Sequence, residues 1–404
     1  MKAYIVVDLG FGDAGKGTVI DYLSCLTPNT LIVRYNGGPQ AAHNVVTAKG
    51  VHHTFAQFGS GTLVPTVKTY LSEYVWIDPL SMLRENEGLC NIDVNDALSR
   101  LSINVETPIV TPFHKVANRV LETKNRHGSC GMGMGNAVAD SLDGLVLRVR
   151  DLLDHETAMT KLKTIQEKKR AEVGVADAIL DDPKAPELCM GIYEFLLAQN
   201  IKIVENLDTH GFDQVIFEGA GGVLLDENYG FHPHTMWTTT TTKNAWKLWY
   251  QEATEIGVIR TYSTRHGNGP FVTETDLPFV DKYNVTNEWQ GGFRTGVLDL
   301  VATKYALKVN GGVNALAVTH IDENCSKLCD SYHLPPTRGF VTELRTPFGL
   351  DEQSKLTDTL FKCKPHVVVS DNLVQEVSER LCLPVIVESF GERSCDKKFT
   401  DIGK

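Results

Sequence analysis

The stretch GFGDAGKGT, residues 10–18, follows directly on an apolar run at residues 3–9. A strand that empties into a glycine-rich turn and then a helix commits the chain to an α/β architecture built around an anion site. Two signatures overlap in it. Gly10-x-Gly12-x-x-Gly15 fits a dinucleotide fingerprint, which needs an acid about 20 residues further on to hold a ribose. The second apolar run ends instead in Arg34-Tyr35-Asn36, and a nicotinamide or flavin dinucleotide is set aside. Gly10-x-x-x-x-Gly15-Lys16 also matches a phosphate loop, with backbone N–H groups around the phosphates and Lys16 as a point charge. The next residue should be Ser or Thr, to ligate Mg²⁺, and here it is Gly17. Asp13 is the one hard oxygen ligand inside the loop. It either holds the metal against the phosphates or caps the following helix.

Short Val- and Ile-rich runs near residues 4, 30, 213, 256, 315, 366 and 384 alternate with amphipathic segments at 155–170, 188–200, 297–309 and 373–382. Continuous apolar blocks suit strands covered on both faces. The expected fold is α/β: a mostly parallel central sheet with the phosphate loop after its first strand and helices on both faces. No Gly-, Ser- or Pro-rich linker divides it, so residues 1–404 read as one unit with a helical insertion at about 100–210.

No apolar run approaches the roughly 18 residues of a membrane span, and no secretory leader pattern opens the chain. The expectation is a cytoplasmic protein. A net charge of −11 argues against a general nucleic-acid binder, whose affinity comes from surface Lys and Arg. Nine cysteines contain no CxxC pair. Cys325, Cys329 and His333 could line one helical face, yet offer no evident fourth ligand for zinc. The sequon Asn284-Val285-Thr286 carries no weight in a cytoplasmic chain.

After the second apolar run comes NGGPQAAHNVV, residues 36–46. It should lie beside the first loop at the carboxyl end of the sheet, where open α/β folds bind ligands. His43 is then either part of the site or a packed polar residue. GFGDAGKGTVIDYL and YNGGPQAAHNVV are followed by FAQFGSGTL, GSCGMGMGNAVAD, FEGAGGVLLDENYGFHPH, TYSTRHGNGPFVTE, RTGVLDLVATKYAL, VTHID and ESFGE. In order and spacing this series resembles the adenylosuccinate synthetase family through nearly the whole chain.

The resemblance implies a GTP-dependent ligase that phosphorylates the 6-oxygen of a purine nucleoside monophosphate, inosinate first. The amine of L-aspartate then displaces the phosphate. It implies Asp13 as base toward N1 and as ligand of Mg²⁺, with the Ala42 carbonyl as second metal ligand, and His43 as donor to the transferring phosphate. Gly12, Gly15, Lys16, Gly17 and Asn44 would hold the donor phosphates. Thr319, Asp322, Ser389 and Gly391 would read the guanine, although Asp322 could merely cap a following helix. Gln40, Ser129, Cys130, Gly221, Thr238 and Arg294 would face the acceptor nucleotide or the amino acid. Arg294 could equally be a solvated loop charge, and Thr238 to Thr242 plain strand. A homodimer is implied as well.

Three departures all touch the acceptor side. Gly221 replaces a pocket Gln, which leaves a space; Gly144 replaces an arginine that reaches across a dimer; NEWQGGFRTG, residues 287–296, is shortened and keeps one arginine. They leave open the same chemistry on guanylate, deoxyguanylate or another 6-oxopurine, another amino acid, or a silent GTP-binding paralogue.

Overall fold

The computed structural model describes every residue except 127, 279–280, 285–288, 290, 336–338 and 401–404. Val285 and Thr286 of the sequon and part of the shortened loop at 287–296 therefore lie outside the described residues. Its centre is a ten-stranded sheet. The first strand, Lys2–Asp8, sits between Gln214–Glu218 and Thr254–Arg260 and runs parallel to both. Beyond Gln214–Glu218 come Thr30–Arg34, Lys68–Leu71, Leu101–Asn104 and Lys202–Val204; beyond Thr254–Arg260 come Ala315–Thr319 and Val385–Ser389. Among the described residues only the edge strand Lys397–Phe399 of this sheet is antiparallel.

The apolar blocks dictate this burial. Along the first strand Ile5 packs with Val33, Phe217 and Trp249 on one face. Val6 packs with Ile32, Ile216 and the helical Val19, Ile20 and Leu23 on the other. Neither face is left to solvent, so successive residues can all be apolar, and each such side chain contributes roughly 1.5–3 kcal/mol by leaving water. The helices at residues 155–170, 188–200 and 373–382 are found as His155–Val173, Ala185–Leu197 and Leu373–Leu381.

Three expectations are corrected. Residues 297–299 finish a strand, Phe293–Asp299, and the helix begins at Leu300 because Asp299 caps it through the Ala302 amide. The run near 256 is two strands, and the second, Tyr262–His266, turns antiparallel against Phe293–Asp299 in a separate five-stranded sheet. The run near 366 also belongs there, antiparallel to Lys327–His333, not to the central sheet. That pairing makes the segment holding Cys329 and His333 a strand rather than a helical face. Among the described residues no group of three or more His, Cys, Asp or Glu could hold a metal, and no helix is long and apolar enough to cross a membrane.

Candidate functional site

Because the strands flanking the first are parallel to it, their carboxyl ends open together. There the chain forms a cavity of about 1660 Å³, larger than the roughly 300–1,000 Å³ of a pocket for one small ligand. Gly12, Asp13, Gly15, Lys16, Gly17, Gln40, Ala42, His43, Asn44, Ser129, Cys130, Gly221, Thr319, Asp322, Ser389 and Gly391 all line it. Thr238 and Arg294 do not.

The phosphate loop is held from below by Asp8, a residue the sequence reading passed over. Its buried carboxylate accepts from the amides of Gly10 (2.8 Å), Gly12 (3.3 Å) and Ala14 (2.9 Å) and from Lys16 Nζ (3.0 Å). The lysine thus pairs with the Asp8 carboxylate. Asp13 adopts φ +60, a left-handed conformation that costs a non-glycine residue about 1–2 kcal/mol. It does not cap the helix Lys16–Leu26, whose N-cap is Gly15 with no side-chain bond. Its carboxylate instead lies 3.6 Å from His266 Nε2, and its carbonyl accepts from Arg260 Nε at 2.6 Å.

Gly17 explains the missing hydroxyl. A Cβ built on it would stand 2.7 Å from His43 Cβ and 3.1 Å from Ser60 Oγ. The position that carries Ser or Thr in other phosphate loops is here the contact that lets the helix seat His43.

His43 opens the short strand His43–Val46. Its Nδ1 is 2.5 Å from Glu218 Oε1, and Nε2 takes no hydrogen bond from the described residues. Glu218 is buried at the end of its strand, in register with Arg34, and also accepts from the amide (3.0 Å) and hydroxyl (2.5 Å) of Ser60. Burial pushes the Glu218 carboxyl up, but Arg34, His43 and Ser60 together outweigh it and bring its pKa to about 2. Burial holds the His43 pKa below its ordinary value against the opposing pull of Glu218, and Arg34 and Lys16 lower it further. Glu218, held as the anion, therefore accepts from His43 Nδ1–H.

Of the residues expected to read the guanine, Thr319 donates through Oγ1 to the Ala14 carbonyl at 2.7 Å and so clasps the loop. Ser389 Oγ donates to the Gly391 carbonyl at 3.1 Å. Asp322 lies exposed in the cavity wall, within the turn Ile321–Glu323. A strand follows that turn, Lys327–His333, so the helix-cap reading of Asp322 fails.

Of the residues expected to face the acceptor or the amino acid, Ser129 exchanges hydrogen bonds through its hydroxyl with Asn118 (3.0 and 3.2 Å). The Cys130 thiol is pushed up by burial, and Gln40 Oε1 is buried without a hydrogen-bond partner among the described residues. The Asn44 side chain is occupied within its own hairpin, accepting from Thr54 at 2.7 Å. Gly221 has φ +71, and a Cβ there would stand 2.5 Å from Met236 Sδ. The expected space is thus filled by a thioether. Gly144 ends an exposed turn with nothing within 4 Å of a built Cβ.

Two assignments are corrected. Arg294 grips a carboxylate, but an internal one: Nε and Nη2 donate to the two oxygens of Glu274 at 2.7 and 2.5 Å, and Nη1 donates to the carbonyls of Gly267 and Gly269. Thr238 is buried behind the wall, and residues 238–242 form neither pocket nor strand. They wrap Asp226, whose carboxylate accepts from the Thr240 amide at 2.7 Å, before the helix Lys243–Leu248.

The arginines that do line the cavity are Arg260, Arg265 and Arg393; Arg265 is buried over the Phe11 ring and bonded to the carbonyls of Asn268, Pro270 and His234. Burial first, then Arg294, bring its pKa to about 9. His266, Arg260, Glu218 and Met236 were likewise missed. Glu218 alone had a legible signal, an acid closing an otherwise apolar strand.

The family model described as adenylosuccinate synthetase matches residues 5–361. Adenylosuccinate synthetase of Clostridium beijerinckii is 30% identical over 361 residues, covering 83% of this chain and 82% of its own. That of Buchnera aphidicola is 30% identical and covers 97% of both. Among solved structures, fully ligated adenylosuccinate synthetase from Plasmodium falciparum superposes with a TM-score of 0.83 at 18% identity, over 99% of this chain and 100% of that one. Succinoaminodeoxyadenylate synthetase of cyanophage S-2L, bound to dGMP and to dATP as an energy donor, gives 0.61 at 18% identity, over 99% and 95%.

Proposed function

The chain belongs to the adenylosuccinate synthetase family and is a GTP-dependent purine nucleotide ligase, and from that premise we propose how its residues carry out the reaction and on which acceptor. The acceptor is inosinate and the amine is L-aspartate. A lactam oxygen is a weak nucleophile and a poor leaving group, so it must first lose the N1 proton and then gain a phosphoryl group. Asp13 takes the proton. It is the carboxylate that the left-handed turn presents in the cavity wall, and that placement carries the reading.

His43 serves the transferring phosphate. With Nδ1 committed to Glu218, Nε2 is the nitrogen that meets the ligand. A phosphate oxygen beside it raises the ring's pKa, and the protonated Nε2 then donates to the charge that develops. Lys16 exchanges Asp8 for donor phosphate, and Asp322 accepts from the guanine N1 and N2 protons, which adenine lacks.

The Asp13 carboxylate and the Ala42 carbonyl are hard oxygen donors in one cavity, a set that suits Mg²⁺ with phosphates and waters completing its shell. When bound, Mg²⁺ neutralises phosphate charge and removes the repulsion between Asp13 and the donor. The chain acts in the cytoplasm as a homodimer, and it is a single unit whose helical insertion is narrower than the expected 100–210, lying between the sheet strands Leu101–Asn104 and Lys202–Val204.

A second acceptor class is favoured by one observation. Met236 occupies the place of a purine-contacting carboxamide beside Gly221, and a thioether cannot donate to O6. Guanylate or deoxyguanylate then becomes an acceptor, in keeping with the dGMP held by the cyanophage protein. Mass spectrometry of products from inosinate, guanylate and their deoxy forms, each with GTP and every amino acid, decides. A succino adduct of inosinate supports the first reading, and adducts of guanine nucleotides alone replace it with the second.

A further inference from the structure

Arg260 is the last residue of the strand beside the phosphate loop, and it is almost wholly buried. Two of the three nitrogens of its head are committed. Nε donates to the Asp13 carbonyl at 2.6 Å, while Nη1 donates to the Tyr262 hydroxyl at 2.6 Å and to Asp281 Oδ2 at 3.0 Å. The guanidinium also lies over the rings of Tyr262 and Phe293. Asp281 is held anionic for it: burial pushes that carboxyl up, but Arg260 and the Asn284 and Tyr283 hydrogen bonds bring it to about 2.

The residue so gripped, Asp13, itself carries a costly backbone at φ +60. A left-handed non-glycine residue persists only where its surroundings over-determine it. Here those surroundings are a rigid planar fork, itself fixed on a second strand pair. His266, on that same strand pair, faces the carboxylate end of the same residue.

We propose that Arg260 is a positioning residue for Asp13: by bonding the Asp13 carbonyl it locks the strained turn and aims the carboxylate at the acceptor. The inference rests on the catalytic reading of Asp13 given above. A lysine at 260 would keep the charge but has one nitrogen, which cannot bond the Asp13 carbonyl, Tyr262 and Asp281 with the same geometry.

The test is a double-mutant cycle on the full-length protein. Phosphate release from GTP and Mg²⁺ is followed with aspartate and either inosinate or deoxyguanylate, whichever turns over faster. Arg260→Lys should lower kcat by about a hundredfold, as misplacement of a reacting group by about 1 Å does, with the KM for GTP within about threefold. In an Asp13→Asn background the same replacement should cost less than about threefold, because the group it positions is gone. Tyr262→Phe, which removes one hydroxyl that anchors Arg260, should lower kcat about tenfold and again lose its effect without Asp13.

An equal loss from Arg260→Lys in both backgrounds would overturn the proposal in favour of direct contact with phosphate. Unchanged kcat in both Arg260→Lys and Tyr262→Phe would overturn it as well. Full turnover by Asp13→Asn itself would instead strike the catalytic reading beneath it.

Discussion

Glu218 Oε1 and His43 Nδ1 lie 2.5 Å apart although 175 residues separate them in sequence. The parallel pairing of Gln214–Glu218 with Thr30–Arg34 brings them together, since the segment carrying His43 leaves the end of the latter strand. Glu218→Gln should therefore lower kcat by about 10²- to 10⁴-fold, the range for acid–base groups, with GTP affinity little changed. Equal loss of affinity and turnover would make the pair a binding element.

The same carboxylate should show in acid unfolding. Its folded pKa of about 2 lies below the ordinary 4.5, so its contribution is complete above the unfolded value and is lost as pH falls toward the folded one. Urea midpoints of wild type and Glu218→Gln should differ most near neutral pH and converge between about 4.5 and 2. A constant gap across that window would show that the group is not held as an anion.

Gly17→Ser restores the hydroxyl expected of a phosphate loop and should nevertheless impair the enzyme. Its Cβ would press on His43 Cβ, at 2.7 Å, and overpacking of this kind costs about 1–3 kcal/mol. A lowered melting temperature together with reduced kcat is the expected pair of results. Unaltered stability with higher Mg²⁺ affinity would show that the site tolerates the usual ligand.

Asp322→Asn should reduce the preference for GTP over ATP by about tenfold or more, the worth of a hydrogen bond to a charged group. Competition assays at fixed total nucleotide read it directly. Undiminished preference would move guanine recognition to another part of the wall.

These features differ in how far the sequence exposed them. The phosphate loop is local: glycines, a lysine and one misplaced acid within nine residues, directly after an apolar strand, define it without reference to the rest of the chain. The parallel sheet was legible for the same reason, because burial on both faces leaves continuous apolar blocks. Partnerships were not. Whether Arg294 holds a ligand carboxylate or Glu274 depends on a strand pairing that composition does not record. Gly221 looked like a vacancy because the side chain that fills it, Met236, comes from a loop with no periodic signal. Asp8 and Arg260 act on the backbone of the loop, and backbone contacts leave no pattern in the residues that make them.

The proposed removal of the purine proton by Asp13 is read by the turnover of Asp13→Asn. Turnover should fall by about 10²- to 10⁴-fold while the purified variant still binds guanine nucleotide. Turnover equal to the wild type would contradict the account.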